Sequence, residues 1–220
     1  FGTGAVWREP YLFHIPKRLA SDAAAPLMCA GITVWTPLTQ FGVKPTDVVG
    51  VVGIGGLGHL AVQFAAKLGC AVVALSGTEA KKEEALKLGA THFVATKRAE
   101  QLSVPRKINH LLVTTSSMPD CKQYSSILAP MATIYPLTTT NFDTRLELPF
   151  MQFLLAGWKV VGSTVPPKIV YMRMLEFAAL HGVKPMIDPF PLTKQGVTDS
   201  LKKLDEGKMR YRGVLYADRV

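Results

Sequence analysis

The sequence predicts an α/β fold, a doubly wound parallel sheet of six strands. Two observations carry that prediction. From about residue 46 onward, short apolar runs alternate with helical patterns at the spacing of strand–helix–strand units. A glycine-rich loop, Gly53-Ile54-Gly55-Gly56-Leu57-Gly58, stands between the first apolar run and the first helical one. Crossovers between parallel strands are right-handed, so the intervening helices must cover both faces of the sheet.

Each element has its own warrant. Asp47 to Gly53 is a near-continuous valine run, as a central strand buried on both faces requires. Leu57, Leu60, Ala61, Phe64, Ala65 and Leu68 then follow helical spacing, and Gly69 closes that helix. Cys70 to Leu75 reads as the second strand, and Glu79 to Leu88 as a helix ended by Gly89. His92 to Ala95, Ile108 to Val113, Met131 to Leu137 and Lys159 to Val165 supply the remaining strands, with helices around Asp120 to Leu128 and Leu148 to Ala156.

Pro166-Pro167 opens a further helix where a missing N–H costs nothing, with Val170, Met174, Phe177 and Ala178 as its apolar stripe and His181-Gly182 as its end. The C-terminal piece reads as strand, helix, strand, and the first 20 or so residues as one or two strands leaving through Pro16. Three parts follow: 1–22, a central dinucleotide-binding portion over 23–184, and 185–220 returning into another domain.

Composition narrows the function classes. The net charge of +9 is spread over pairs and short runs such as Lys81-Lys82, Lys97-Arg98, Lys202-Lys203 and Lys208 to Arg212, with few aromatics between them. Nucleic-acid binding needs a concentrated patch, so these read as solvated faces or sites for a small anion such as a phosphate. No apolar run approaches the ~18 residues of a membrane span. Cys29, Cys70 and Cys121 have no paired spacing, which points to a reducing compartment and to the cytoplasm. The chain opens on Phe1 with no charged-then-apolar leader, and a cut or shortened chain is the expectation.

The glycine loop carries the chemistry. Gly53, Gly55 and Gly58 are in register for G-x-G-x-x-G, after a strand and before a helix, which is the context of a pyrophosphate site in a Rossmann sheet. The first glycine makes a tight turn, the second lets phosphate approach the backbone, and the third lets helix and sheet close. The helix start adds N–H groups and a positive dipole end. Past the second strand an NAD site carries an acid for the ribose hydroxyls, but this chain has Leu75-Ser76-Gly77-Thr78-Glu79-Ala80-Lys81-Lys82. Ser76, Thr78 and Lys81 or Lys82 supply donors and positive charge for a 2′-phosphate, so NADP is favoured over NAD. Glu79 is the contrary feature, and reads as a first-turn helix residue facing solvent. Cys29, in AAPLMCAG, is open to three readings: a buried small hydrophobe, a nucleophile or a metal ligand.

The stretches APLMCAGITVW, GIGGLGHLAVQFAAKLG, SGTEAKKEEALKLGA and KMRYRGVLYAD, in that order, resemble the zinc-type medium-chain alcohol dehydrogenases, and among them the NADPH-dependent cinnamyl alcohol dehydrogenase branch. The resemblance implies remnants of a β-rich, GroES-like catalytic domain at both ends. It matches Cys29 to a catalytic zinc ligand, and Thr33 and Ser163 to residues beside the nicotinamide, which makes these two the catalytic candidates. It matches Gly53, Gly55, Gly56, Leu57 and Gly58 to the pyrophosphate loop, and Ser76, Thr78 and Lys81 to the 2′-phosphate. Thr114 and Arg212 complete the cofactor-binding candidates, Arg212 where a basic residue approaches the phosphates. A homodimer formed through sheet edges is likewise implied.

The departures matter as much. No HE or GHE pair occurs, and the family's other zinc ligands have no counterpart here. A catalytic zinc needs about three protein ligands and an open position, so a zinc site is expected to be incomplete. His14, His59, His92, His110 and His181 read as structural, with His59 on the exposed side of the loop helix. The expected function is the NADP(H)-binding portion of an alcohol dehydrogenase or aldehyde reductase acting on a small aldehyde or alcohol, with the rest of the catalytic domain supplied. The alternative is a naturally shortened, zinc-free NADP(H)-binding relative with a regulatory or repurposed role. A third reading, a zinc-free reductase polarising a carbonyl with Ser163 or Tyr135, is weakened by Cys29. Trp35, Phe142 and Met151 hint at an apolar substrate.

Overall fold

The computed structural model describes every residue except 1, 3, 98, 139, 140, 142 and 218–220, so Arg98 and Phe142 lie outside the described residues. The chain divides into two compact units, Thr33–Val165 and a second made of Phe1–Ile32 with Pro166–Val220. Residues 23–32 and 166–184, grouped in the sequence with the sheet, thus fall with the chain ends.

The first unit is an α/β sheet. Strands β1 (Val48–Val52), β2 (Ala71–Ser76), β3 (His92–Ala95), β4 (Ile108–Val113), β5 (Leu128–Pro136) and β6 (Lys159–Val160) lie in the order β3-β2-β1-β4-β5-β6. All their pairings are parallel, with Val52 opposite both Leu75 and Val113. This is a doubly wound sheet of the Rossmann type, and its order reverses between β1 and β4, where ligands of such sheets bind.

The valine run makes β1 central because every residue in it is buried. By strand alternation Val48 and Val52 face a core with Leu75, Leu111, Val113, Tyr124, Ile134 and Trp158. Helix α3 (Gly58–Lys67) buries Leu60, Ala61, Phe64 and Ala65, and Trp35 of α2 (Ile32–Gln40) packs on Phe64 with ring centroids 5.2 Å apart. Full burial of a side chain such as Phe64 contributes about 2 kcal/mol. Helices α4 (Lys82–Lys87) and α5 (Phe150–Ala156) complete this unit.

Three local expectations change. The segment 120–128 forms a 3-10 stretch, Cys121–Ile127, instead of an α-helix. Its serines divert backbone acceptors: Ser125 Oγ donates to the Lys122 carbonyl at 2.7 Å and Ser126 Oγ to that of Leu102 at 3.1 Å. The sixth strand stops at Val160 rather than continuing to Val165. Among the described residues of 1–20 there is no strand, only a 3-10 turn at Glu9–Tyr11; Pro10 and Pro16 cannot donate to a ladder.

The second unit holds helix α1 (Ser21–Pro26) and a π turn at Leu27–Gly31. Neither was marked by the sequence pattern, because Pro26 and Pro37 interrupt 21–40 where a helix would be sought. The wider π turn follows directly on Pro26. Helix α6 (Lys168–His181) packs on this turn: a Cβ on Gly31 would stand 3.1 Å from the Met174 sulfur, which explains why 166–184 groups here. Strand β7 (Ile187–Pro191), helix α7 (Lys194–Asp205) and strand β8 (Arg212–Tyr216) follow, β7 and β8 pairing in parallel. The expected strand, helix, strand is present. No described helix is long and apolar enough to cross a membrane.

Candidate functional site

Because all six strands run in parallel, their C-terminal ends share one edge, and the glycine loop leaves β1 there. Gly53 turns the chain at φ +91°, open to glycine and strained for other residues, and its N–H donates to the Leu75 carbonyl at 2.8 Å. A Cβ on Gly58 would meet the Gly53 carbonyl oxygen at 1.8 Å, so only glycine lets α3 start this close to the strand. A Cβ on Gly55 would meet nothing within 4 Å, so the middle of the loop faces open space. No side chain caps α3 at Leu57, which suits an anion at that helix end.

Two residues brace this loop from beneath. The Thr114 hydroxyl, just past β4, lies 2.7 Å from the Gly53 carbonyl and 2.9 Å from that of Val52, and the residue is buried. Thr114, a cofactor-binding candidate, therefore holds the shape of the loop. His59 is fully buried, not on an exposed face: its Nδ1 donates to the Gly55 carbonyl at 2.8 Å. The signal was its place directly after the last loop glycine, one turn from Gly55.

The end of β2 carries the residues expected at a 2′-phosphate. Ser76 and Gly77 are half-buried, Thr78 is exposed, and a 3-10 turn Glu79–Lys81 returns toward the loop. The Lys81 ammonium donates to the Ile54 carbonyl at 2.5 Å, uniting strand end and glycine loop. Glu79 is exposed and pairs with Lys82 at 3.2 Å, which offsets its charge at this strand end.

Beyond β6, the Ser163 hydroxyl oxygen is buried and has no hydrogen-bond partner among the described residues. Such an orphan costs about 1–3 kcal/mol unless a ligand satisfies it. Thr33 lies half-buried in the first turn of α2. Trp35 is core, packed on Phe64, whereas Met151 is exposed on α5. Tyr135 is fully buried with its hydroxyl 3.1 Å from His110 Nδ1, so it cannot polarise a substrate carbonyl.

Within the second unit, Cys29 is exposed, which removes the reading as a buried hydrophobe. It lines a cavity of about 570 Å³ with Leu192, Leu201, Met209, Tyr211 and Arg212. Burial holds the Arg212 guanidinium below its ordinary range, with Cys29 opposing that shift. Among the described residues no three of His, Cys, Asp or Glu gather as metal ligands. Cys29 alone does not make a zinc site among them.

Known proteins place this architecture. The sequence pattern of the family described as zinc-binding dehydrogenase matches residues 56–180. The chain belongs to that family. An aldehyde reductase of Synechocystis sp. is 35% identical over 202 residues, covering 91% of this chain and 59% of its own length. Among solved structures, a cinnamyl alcohol dehydrogenase from Sorghum bicolor is 33% identical with a TM-score of 0.85, covering 94% of this chain and 58% of its own. The cinnamyl alcohol dehydrogenase of Helicobacter pylori, solved with NADP(H), is 28% identical with a TM-score of 0.81 over the same shares. This member of the zinc-binding dehydrogenases thus spans somewhat over half the length of these relatives.

Proposed function

We propose that the chain holds NADP(H) along the C-terminal edge of its sheet, as the cofactor-binding portion of an alcohol dehydrogenase or aldehyde reductase acting on a small aldehyde or alcohol. The observation that carries this is the Lys81 ammonium drawn onto the Ile54 carbonyl, at a strand end that offers Ser76 and Thr78 and no acid in the ribose position. A homodimer and a cytoplasmic location belong to the same proposal, resting on the resemblance and on three cysteines without paired spacing.

The cofactor, when bound, supplies the hydride. The chain's own residues bind and orient. The open face of Gly55 admits a pyrophosphate, and the uncapped start of α3 stabilises its charge. Ser76 and Thr78 offer hydroxyl donors to a 2′-phosphate, and Lys81 offers charge. Ser163 offers a buried hydroxyl to a ligand's polar group, and its missing partner supports that role. Cys29 contributes one thiol and no ligand set.

Calorimetric titration with NADPH and NADH tests the reading. Tighter binding of NADPH is expected, and equal affinity would overturn the 2′-phosphate assignment. The alternative role, NADP(H) binding without dehydrogenase chemistry, predicts the same titration. It parts from the first where the chain is supplied with NADPH, an aldehyde and the remaining catalytic portion of a relative, and no alcohol forms.

A further inference from the structure

Lys97 stands immediately beyond β3, beside the end of β2. Two bonds fix the backbone there: the Thr96 N–H donates to the Ser76 carbonyl at 2.8 Å, and the Lys97 N–H to the Gly77 carbonyl at 3.2 Å. Thr96 is buried, its hydroxyl reaches the same Ser76 carbonyl at 3.3 Å, and its own carbonyl accepts from Gln123 Nε2 at 2.9 Å. The chain is therefore held on both sides just before the lysine.

The Lys97 side chain lies flat across Gly77. Its Cε lies 3.3 Å, and its Cγ and Cδ 3.4 Å, from where a Cβ on Gly77 would be. Glycine at 77 thus makes room for an aliphatic stem running along the strand end between Ser76 and Thr78, with the ammonium one bond past Cε. The residue is exposed and enters no ion pair among the described residues, and Glu79 of the same strand end is already paired with Lys82. A second cation at the strand end, without a carboxylate partner, is suited to a phosphate dianion.

We propose that Lys97 is a second cation of the 2′-phosphate site, in addition to Lys81, and that it determines part of the preference for NADP(H). This rests on the NADP(H) reading above. The stem over Gly77 orients the charge, which then acts on the phosphate and on nothing that NADH possesses.

The experiment titrates the whole chain and its Lys97→Met and Lys97→Gln variants with NADPH, NADH and 2′,5′-ADP. Methionine keeps an unbranched stem over Gly77, and glutamine keeps a donor without charge; thermal melting shows that each variant is folded. The expected result is a Kd for NADPH and 2′,5′-ADP raised about tenfold in both variants, with NADH unchanged. A wild-type preference for NADPH that both variants retain in full would overturn the Lys97 role alone. Equal loss for NADPH and NADH would mark a structural effect and overturn it too. A wild type without preference would overturn the NADP(H) reading and this inference together.

Discussion

The carbonyl oxygen of Gly53 and the α-carbon of Gly58 are in such close approach that a single added methyl would stand 1.8 Å from that oxygen. The obstacle is backbone, so no side-chain rotation relieves it. Gly58→Ala is expected to cost at least about 2 kcal/mol, a fall in Tm of roughly 4–8 °C, by forcing α3 from the strand. NADPH affinity should fall with it, because the loop and the helix start move together. Differential scanning fluorimetry and calorimetry on the variant check both, and a Tm within 1 °C or so of wild type would refute the packing account.

His110 makes stability depend on pH. Burial lowers its pKa from the ordinary 6.5, against an opposing pull from Asp47 at 3.2 Å, and Lys159 adds to the lowering. The unfolded chain takes up this proton near pH 6.5, and the native chain only at lower pH. Between those values the unfolded state holds more protons, so the stability that neutral His110 provides is complete above pH 6.5 and is lost as pH falls through the native value. Urea midpoints measured from pH 7.5 to pH 5 should fall more steeply for wild type than for His110→Gln. Parallel curves would refute it.

The three cysteines should separate by reactivity. Cys29 is exposed, whereas Cys70 and Cys121 are buried. Burial pushes the Cys70 thiol up to about 11, with Asp47 adding to it, and raises that of Cys121 as well. Thiolate is the reacting form, so iodoacetamide at pH 8 should label Cys29 in the native protein and the other two only after denaturation. Peptide mass mapping reads the order directly, and early labelling of Cys70 would contradict the burial described.

The sheet was legible in the sequence because its strands are buried on both faces and therefore appear as unbroken apolar runs, as in Val48–Val52. The glycine loop was legible because its spacing answers steric needs that no other residue meets. The helical stretch over 21–40 was not, since its prolines read as breaks and the π turn after Pro26 has no sequence signature. His59 was misplaced because a helical period assigns a face by angle alone, and the acceptor that draws its ring inward is a backbone carbonyl. Lys97 was seen only as part of a charge pair; that it crosses Gly77 depends on the β2–β3 register, which one-dimensional spacing does not carry.

The Ser76 carbonyl accepts from both the Thr96 N–H and the Thr96 hydroxyl. The turns leaving β2 and β3 are therefore stitched into a single mechanical piece, and swapping residues in one alone would drag the other out of shape. A protein engineer wishing to recut this end of the sheet would have to transplant both turns as a set.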